Sequence, residues 1–289
     1  MKAIALPAVF TMTLWACLAA PGPIAQAERL TQSAPALPII DVHLHYSREA
    51  WAEFSPDTVQ QKLAEANVPR ALLSSSPDDG TLRLHSLNPK RFVPMLRPYR
   101  AGVGLGDWAR DAATPAYLAG RLGKGIYKGI GEFHLWDEDD ARTPVLRKVA
   151  RMAVARNIHL HVHSGAGPVR VLFELEPRLR ILWAHAGLVT PPRQVGAMME
   201  RHANLWADLS FRASEIMPGA TLDPAWRRLL LAHPKRFMIG SDSYTNSRWR
   251  VYGAILAGHR AWLDLLPREV SQAIAHGNAV RVFGLKLDD

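Results

Sequence analysis

Six residues able to ligate a metal ion follow one another along the chain, each where an apolar, β-prone run ends: His43, His45, Glu132, His163, His185 and Asp242. The first pair lies in Pro38-Ile39-Ile40-Asp41-Val42-His43-Leu44-His45, which reads as a short buried strand. Side chains alternate across a strand, so His43 and His45 leave on the same face and can meet one cation. Neutral imidazole suits zinc, iron, manganese or nickel, and a neighbouring carboxylate adds charge while leaving a site able to activate water. Alone, a His-x-His carries little weight; it gains meaning from the carboxylates and imidazoles farther along the chain.

Ile126 to His134 reads as a fourth strand in which parity places Lys128, Glu132 and His134 on one face. Glu132, at the end of the run, could bridge two ions or simply pair with an arginine. Lys128 would lie roughly 13 Å deeper at a strand's rise per residue, which disfavours it as a modified ligand. In Ile158-His159-Leu160-His161-Val162-His163-Ser164-Gly165 three histidines share a face. His163, just before the turn, is the first choice as ligand, His161 the alternative, and His159 a structural residue. Burying three imidazoles is costly unless each finds a hydrogen-bond partner, so a polar interior is expected there. His185 in Trp183-Ala184-His185-Ala186-Gly187 would on its own be read as a satisfied core histidine, and Asp242 in Ile239-Gly240-Ser241-Asp242 as a helix cap. Asp208, closing a seventh run, could accept the second ring N–H of a ligand histidine. Asp41, which shares parity and hence a face with His43 and His45 but lies deeper on the first strand, is assigned to support.

Positioning such a set requires many strand ends at one place. Eight β-prone runs are expected, near residues 38–44, 70–75, 91–97, 126–132, 158–163, 180–185, 204–209 and 236–241. Between them lie amphipathic segments with helix starts at Ser55-Pro56, Thr143-Pro144 and Asp223-Pro224. A capping residue followed by Pro at the first helical position has a mechanism, because the N–H that Pro lacks would have gone unpaired. Near-continuous hydrophobic runs such as Ile181-Leu182-Trp183-Ala184 suit parallel strands buried on both faces. Alternating strand and helix over this length predicts an α/β fold, a (β/α)8 TIM barrel in a single domain, where the carboxyl ends of all strands face one site. An open doubly wound sheet is the competitor. It lacks support, since no Gly-x-Gly-x-x-Gly turn follows the first strand.

Composition adds a compartment. Met1-Lys2, an apolar stretch to about Ala20, and Ala25-Gln26-Ala27 form the pattern of a secretory signal peptide cleaved after Ala27. The expected organisation is therefore a signal peptide at 1–27, a linker at 28–37 and a barrel at 38–289, with the protein exported to the periplasm or secreted. Pro7 and the short apolar length argue against a transmembrane helix. Cys17, the only cysteine, falls inside the leader, so the mature chain would hold no disulfide. Lipid anchoring through Cys17 is the weaker reading. A net charge of +9 comes from scattered basic residues without a stripe, so it marks no nucleic-acid footprint.

The order His-x-His, Gly-Glu, His-Ser-Gly, His-Ala-Gly and Gly-Ser-Asp, closing in His276-Gly277-Asn278-Ala279-Val280-Arg281-Val282-Phe283-Gly284, resembles the amidohydrolase superfamily in its amidohydrolase-related branch, from about residue 38 to 285. The resemblance implies a barrel with His43, His45, His163 and His185 as ligands and Asp242 as last-strand ligand and proton carrier. Where bimetal members carry a modified lysine this chain has Glu132, leaving one or two ions open. It also implies a divalent cofactor, zinc first among the candidates, that activates water to hydrolyse a small-molecule ester, lactone or amide. A metal-dependent decarboxylase, a deoxyribonuclease or phosphodiesterase on the same scaffold, and a non-catalytic binding barrel are the rivals. Loops after the strands would choose the substrate, with Arg97, Arg100, Trp136, Arg212, Tyr244 and Arg248 as candidates, the arginines suiting a carboxylate or phosphate.

Overall fold

The computed structural model describes residues 36–287. The leader, its cleavage point, Cys17 and nearly all of the linker lie outside the described residues. Eight parallel strands alternate with helices: β1 (Ile40–Leu44), β2 (Arg70–Leu73), β3 (Phe92–Pro94), β4 (Gly129–His134), β5 (His159–His163), β6 (Ile181–Trp183), β7 (Leu205–Asp208) and β8 (Phe237–Met238). They form one sheet in the order β1-β2-β3 and another in the order β4-β5-β6-β7-β8. Backbone hydrogen bonds connect the two at both margins. On one side Leu96 N–H donates to Gly129 (3.0 Å) and Gly131 N–H to Leu96 (2.7 Å); on the other Val42 N–H donates to Ile239 (2.9 Å) and Asp242 N–H to His43 (2.7 Å).

The three helix starts form as their residues dictate. Ser55 Oγ accepts from Thr58 N–H, Thr143 Oγ1 from Leu146 N–H, and Asp223 from the N–H groups of Ala225 and Trp226, each with Pro at the first helical position. One large apolar cluster joins the strands to the helices. A smaller one draws Ile40, Val42, Leu72, Val93, Leu182 and Met238 together against Val282 and Phe283 near the C-terminus. Asn278, in the closing motif, ties that segment to the eighth strand by donating to the carbonyls of Phe237 (2.8 Å) and Pro234 (2.9 Å). Among the described residues no helix is long and apolar enough to cross a membrane.

Two strands depart from simple alternation. The pairing of β1 with β2 shifts register between Asp41 and Leu44, and that of β4 with β5 between Gly131 and Phe133. As a result Ile40 and Val42 join the inner cluster, whereas Asp41 turns to Tyr252 of the helix Tyr252–Leu263. The expected shared face of Asp41 with His43 and His45 is thus corrected. So is that of Lys128 with Glu132: Lys128 is exposed, Gly129 and Gly131 pair with His159 and His161, and Glu132 is the extra residue of the shift.

Candidate metal centre

All six residues singled out in the sequence converge. One ligand atom each from His43, His45, Glu132 and Asp242 lies within 4.8 Å of the others, and Glu132 belongs equally to a second such group with His163 and His185. His43 Nε2 is 3.1 Å from His45 Nε2, 3.3 Å from Glu132 Oε2 and 3.4 Å from Asp242 Oδ1. His163 turns Nδ1 to Glu132 Oε1 at 2.7 Å, and His185 Nε2 lies 3.1 Å from that same Nδ1. His161, the alternative to His163, is placed one layer deeper, with Nε2 3.1 Å from Asp208 Oδ2.

The partners of the outer ring nitrogens fix the tautomers. His45 Nδ1 lies 2.7 Å from the carbonyl of Ser74 and His43 Nδ1 3.2 Å from the carboxylate of Asp208; both partners accept, so both Nδ1 atoms carry hydrogen. Nε2 of His43 and Nε2 of His45 then face each other at 3.1 Å, and two bare lone pairs there would repel unless a proton or a metal ion lies between them. A cation between them removes the conflict. His185 is oriented in the same way, its Nδ1 2.7 Å from Ser210 Oγ, which in turn donates to Asp208.

Charge leads to the same conclusion. Glu132, Asp208 and Asp242 are all buried around these rings, and a buried carboxylate is costly unless paired. Arg97 meets Glu132, its Nη2 donating to Oε2 at 3.2 Å and its Nε to the main-chain carbonyl at 3.0 Å. The imidazoles supply the rest. Burial opposes a proton on His43, but Asp242, Glu132 and Asp208 outweigh it and hold the ring well above the usual histidine range. Burial likewise pushes Glu132 up, yet His43 and the hydrogen bonds of His163 and His185 bring it well below the ordinary carboxylate range. Asp242 is opposed by burial and still drawn down to about 2 by His43 and His45. A cluster this demanding of positive charge fits a divalent ion, for which His43, His45, His163, His185, Glu132 and Asp242 offer the donors.

Backbone geometry aims these groups. Asp242 (φ 45°) and His185 (φ 56°) both adopt left-handed conformations, which cost about 1–3 kcal/mol each and persist where surrounding contacts over-determine them. Here Asp242 N–H is bonded to His43 O, and His185 N–H to Asp208 Oδ1 at 3.3 Å. Two glycines give room. A Cβ on Gly131 (φ 127°) would stand 2.2 Å from the carbonyl of His161, and one on Gly240 would stand 2.6 Å from Cβ of His43.

The centre opens into a cavity of about 1130 Å³. Arg97, Arg100, Arg212 and Tyr244 of the expected substrate set line it, together with Tyr99 and His134. Trp136 and Arg248 are not on its wall. Trp136 is largely exposed, and Arg248 lies over the Phe211 ring at 3.9 Å with its Nε donating to the carbonyl of Asp242. Sequence reasoning missed Ser74 and Ser210, which orient two of the rings, and His134, whose ring stacks on His163 at 4.0 Å. Ser210 carried a usable signal, since it follows Asp208 by two residues at a strand end.

No curated protein matches this chain. Among solved structures, a probable 2-pyrone-4,6-dicarboxylic acid hydrolase from Acinetobacter baumannii with citric acid bound aligns with TM-score 0.57 and 15% identity, covering 86% of this chain and 100% of its own. An amidohydrolase from Burkholderia multivorans with bound HEPES gives TM-score 0.57 and 16% identity over 86% and 100% of the two chains. A 5-carboxyvanillate decarboxylase from Novosphingobium aromaticivorans, complexed with manganese and 4-hydroxy-3-methoxy-5-nitrobenzoic acid, gives TM-score 0.57 and 12% identity over 88% and 100%. At such identities these likenesses speak to the fold alone. The sequence itself goes further: the amidohydrolase family model matches residues 40–285, and the chain belongs to that family.

Proposed function

We propose that this chain is an exported metal-dependent hydrolase, with zinc as its ion, acting on a small-molecule ester, lactone or amide from the mouth of a closed (β/α)8 barrel. The opposed Nε2 atoms of His43 and His45, ringed by Glu132 and Asp242, carry the reading. Hydrogen bonds at both margins between the two sheets support closure of the barrel, and the Ala25-Gln26-Ala27 leader supports export.

A divalent ion held by these residues would supply Lewis acidity and lower the pKa of water to roughly 7. The protein's own groups do the rest. Asp242, ionised and 3.1 Å from His45 Nε2, is placed to take a proton from the attacking water and return it to the leaving oxygen or nitrogen. Water's oxygen bonds to the carbonyl carbon, the C–O or C–N bond breaks, and an acid and an alcohol or amine result. Asp208, Ser74 and Ser210 hold the imidazoles in one tautomer throughout.

The test is metal analysis of the purified protein beside a His43→Ala control, followed by assays for hydrolysis and for CO2 release. Bound zinc lost in the variant, with ester, lactone or amide cleavage by the wild type, is the expected result. Equal lack of metal in both proteins under replete conditions removes the chemistry. CO2 release without hydrolysis would move the chain to the decarboxylases.

A further inference from the structure

The arginines on the cavity wall suggest an acidic substrate until their partners are counted. Arg97 is held on Glu132. Arg100 pairs with Asp111 and donates to Thr114 Oγ1 at 3.1 Å. Arg212 pairs with Glu215 at 2.9 Å and donates to the carbonyls of Thr190 (3.0 Å) and His185 (3.3 Å). Arg48 stands at the mouth over the Trp51 ring at 5.6 Å, with Glu49 beside it on the same wall. Three of the four guanidiniums therefore spend their charge on carboxylates of this chain, and the fourth has an acid as its neighbour. A bidentate clamp for a substrate carboxylate needs a guanidinium fork free to face it.

The wall also carries exposed apolar residues, alongside the polar Ser47, Ser76, Thr245 and Asn246. Leu105 (47% exposed), Val189 (94%), Phe211 (50%) and Tyr244 (49%) line the cavity together with Leu188. Phe211 (φ 63°) and Leu188 (φ 61°) hold left-handed backbone, which bulky residues adopt rarely. Exposed apolar side chains gathered around one cavity mark a ligand surface, whereas scattered ones need no explanation. His134 stands on the same wall, its ring stacked on His163. Tyr99 Oη accepts the backbone N–H of His134 (2.8 Å), so its own hydrogen goes to His134 Nδ1 (2.8 Å), which leaves the hydrogen of the neutral ring on Nε2. Among the described residues no hydrogen-bond partner of that Nε2 is found, and the ring lines the cavity beside His163.

We propose that the cavity selects an uncharged carbonyl compound with an apolar body, which lies against Leu105, Leu188, Val189, Phe211 and Tyr244 while His134 Nε2–H donates to its polar end. This rests on the hydrolase reading for the reaction, but the selection concerns binding and can be measured apart from turnover. The binding probes are methyl hexyl ketone and the keto acid in which a carboxylate replaces its terminal methyl, titrated calorimetrically into the zinc-loaded protein. The ketone should bind at least about tenfold more tightly, the scale expected when an apolar group enters and a charge is kept out. Val189→Asp should remove that preference with zinc content unchanged. His134→Phe should weaken the ketone while retaining zinc, and His134→Gln, which keeps a donor, should restore part of the loss. Equal or tighter binding of the keto acid overturns the proposal.

Turnover gives a second reading with p-nitrophenyl hexanoate and the mono-p-nitrophenyl ester of adipate, which differ by the same exchange of methyl for carboxylate. Higher kcat/KM for the hexanoate ester supports the proposal, and higher kcat/KM for the adipate ester overturns it while leaving the hydrolase intact. Cleavage of neither ester counts against the hydrolase reading alone, because the ketone titration decides the selection on its own.

Discussion

Asp208 Oδ2 lies 3.2 Å from Nδ1 of His43, inside the cluster and with no exposure to solvent at either side chain. A carboxylate there holds the ring's hydrogen on Nδ1 and raises the basicity of Nε2, the atom turned to the centre. Asp208→Asn keeps the shape, removes the charge, and offers His161 and His43 an amide that must choose which end to present. Metal affinity should fall by about 10–100-fold, the usual cost of losing such a partner. Competition with a chromophoric chelator measures it, and a circular dichroism spectrum like the wild type's shows that the fold is kept. Unchanged affinity would mean that the carboxylate serves packing only.

Gly131 presents a different constraint, from backbone against backbone. Its φ of 127° excludes ordinary side chains, and a Cβ would stand 2.2 Å from the carbonyl of His161. Gly131→Ala should cost at least about 1–3 kcal/mol in strain and displace Glu132, the next residue. A lowered Tm together with weakened metal binding is expected. A variant that lost neither would show that the register shift in β4 tolerates a side chain.

That register shift also marks where the sequence could be read and where it could not. The succession of strands and helices along the chain, the three proline helix starts and the meeting of His43 with His45 follow from periodicity and capping, which are local. The position of Glu132 does not: parity grouped it with Lys128, and only the pairing of β4 with β5 reveals the extra residue. Ser74 and the Tyr99–His134 pair were hidden for a related reason, since each works through a contact between strands that are distant in sequence. Arg248 and Trp136 were placed on the cavity by position after a strand, but a loop's direction is set by tertiary packing. Arg248 turned back to carry the carbonyls of Ser241 and Asp242.

His259 ties stability to pH away from the ligands themselves. It is buried, accepts the Trp262 indole N–H on Nδ1 at 3.2 Å, and is bonded to the backbone of Gly240. Burial lowers its pKa to about 4, with Asp208 opposing. In the unfolded chain the ring takes a proton near pH 6.5. The unfolded state therefore binds more protons between these values, and stability falls as pH drops from about 6.5 towards 4, by about 3 kcal/mol for this ring. Above 6.5 the contribution is complete, and below 4 no more is lost. Denaturant unfolding at pH 7, 6 and 5 should give a shallower slope for His259→Gln than for the wild type, by up to about 1.4 kcal/mol per pH unit. Equal slopes would place the proton uptake on other groups.

Asp242 is the residue on which the proposed roles in metal binding and proton transfer can be separated. Its Oδ1 faces His43 and His45 at 3.4 and 3.1 Å, and its Oδ2 is 3.8 Å from His185 Nε2, so the carboxylate spans the centre instead of closing one side of it. Four imidazoles and Glu132 remain when it is replaced, enough donors to keep an ion. In the proposed mechanism Asp242→Asn loses the base, because an amide neither takes a proton from water nor hands one to a leaving group. The variant should retain most of its bound metal while kcat falls by about 10²–10⁴, the range for a general acid–base group. Parallel measurement of bound metal and of ester cleavage separates the two roles. Loss of metal in step with activity would make Asp242 chiefly a ligand, and retained turnover would assign the proton transfer to Glu132 or to another group on the cavity wall.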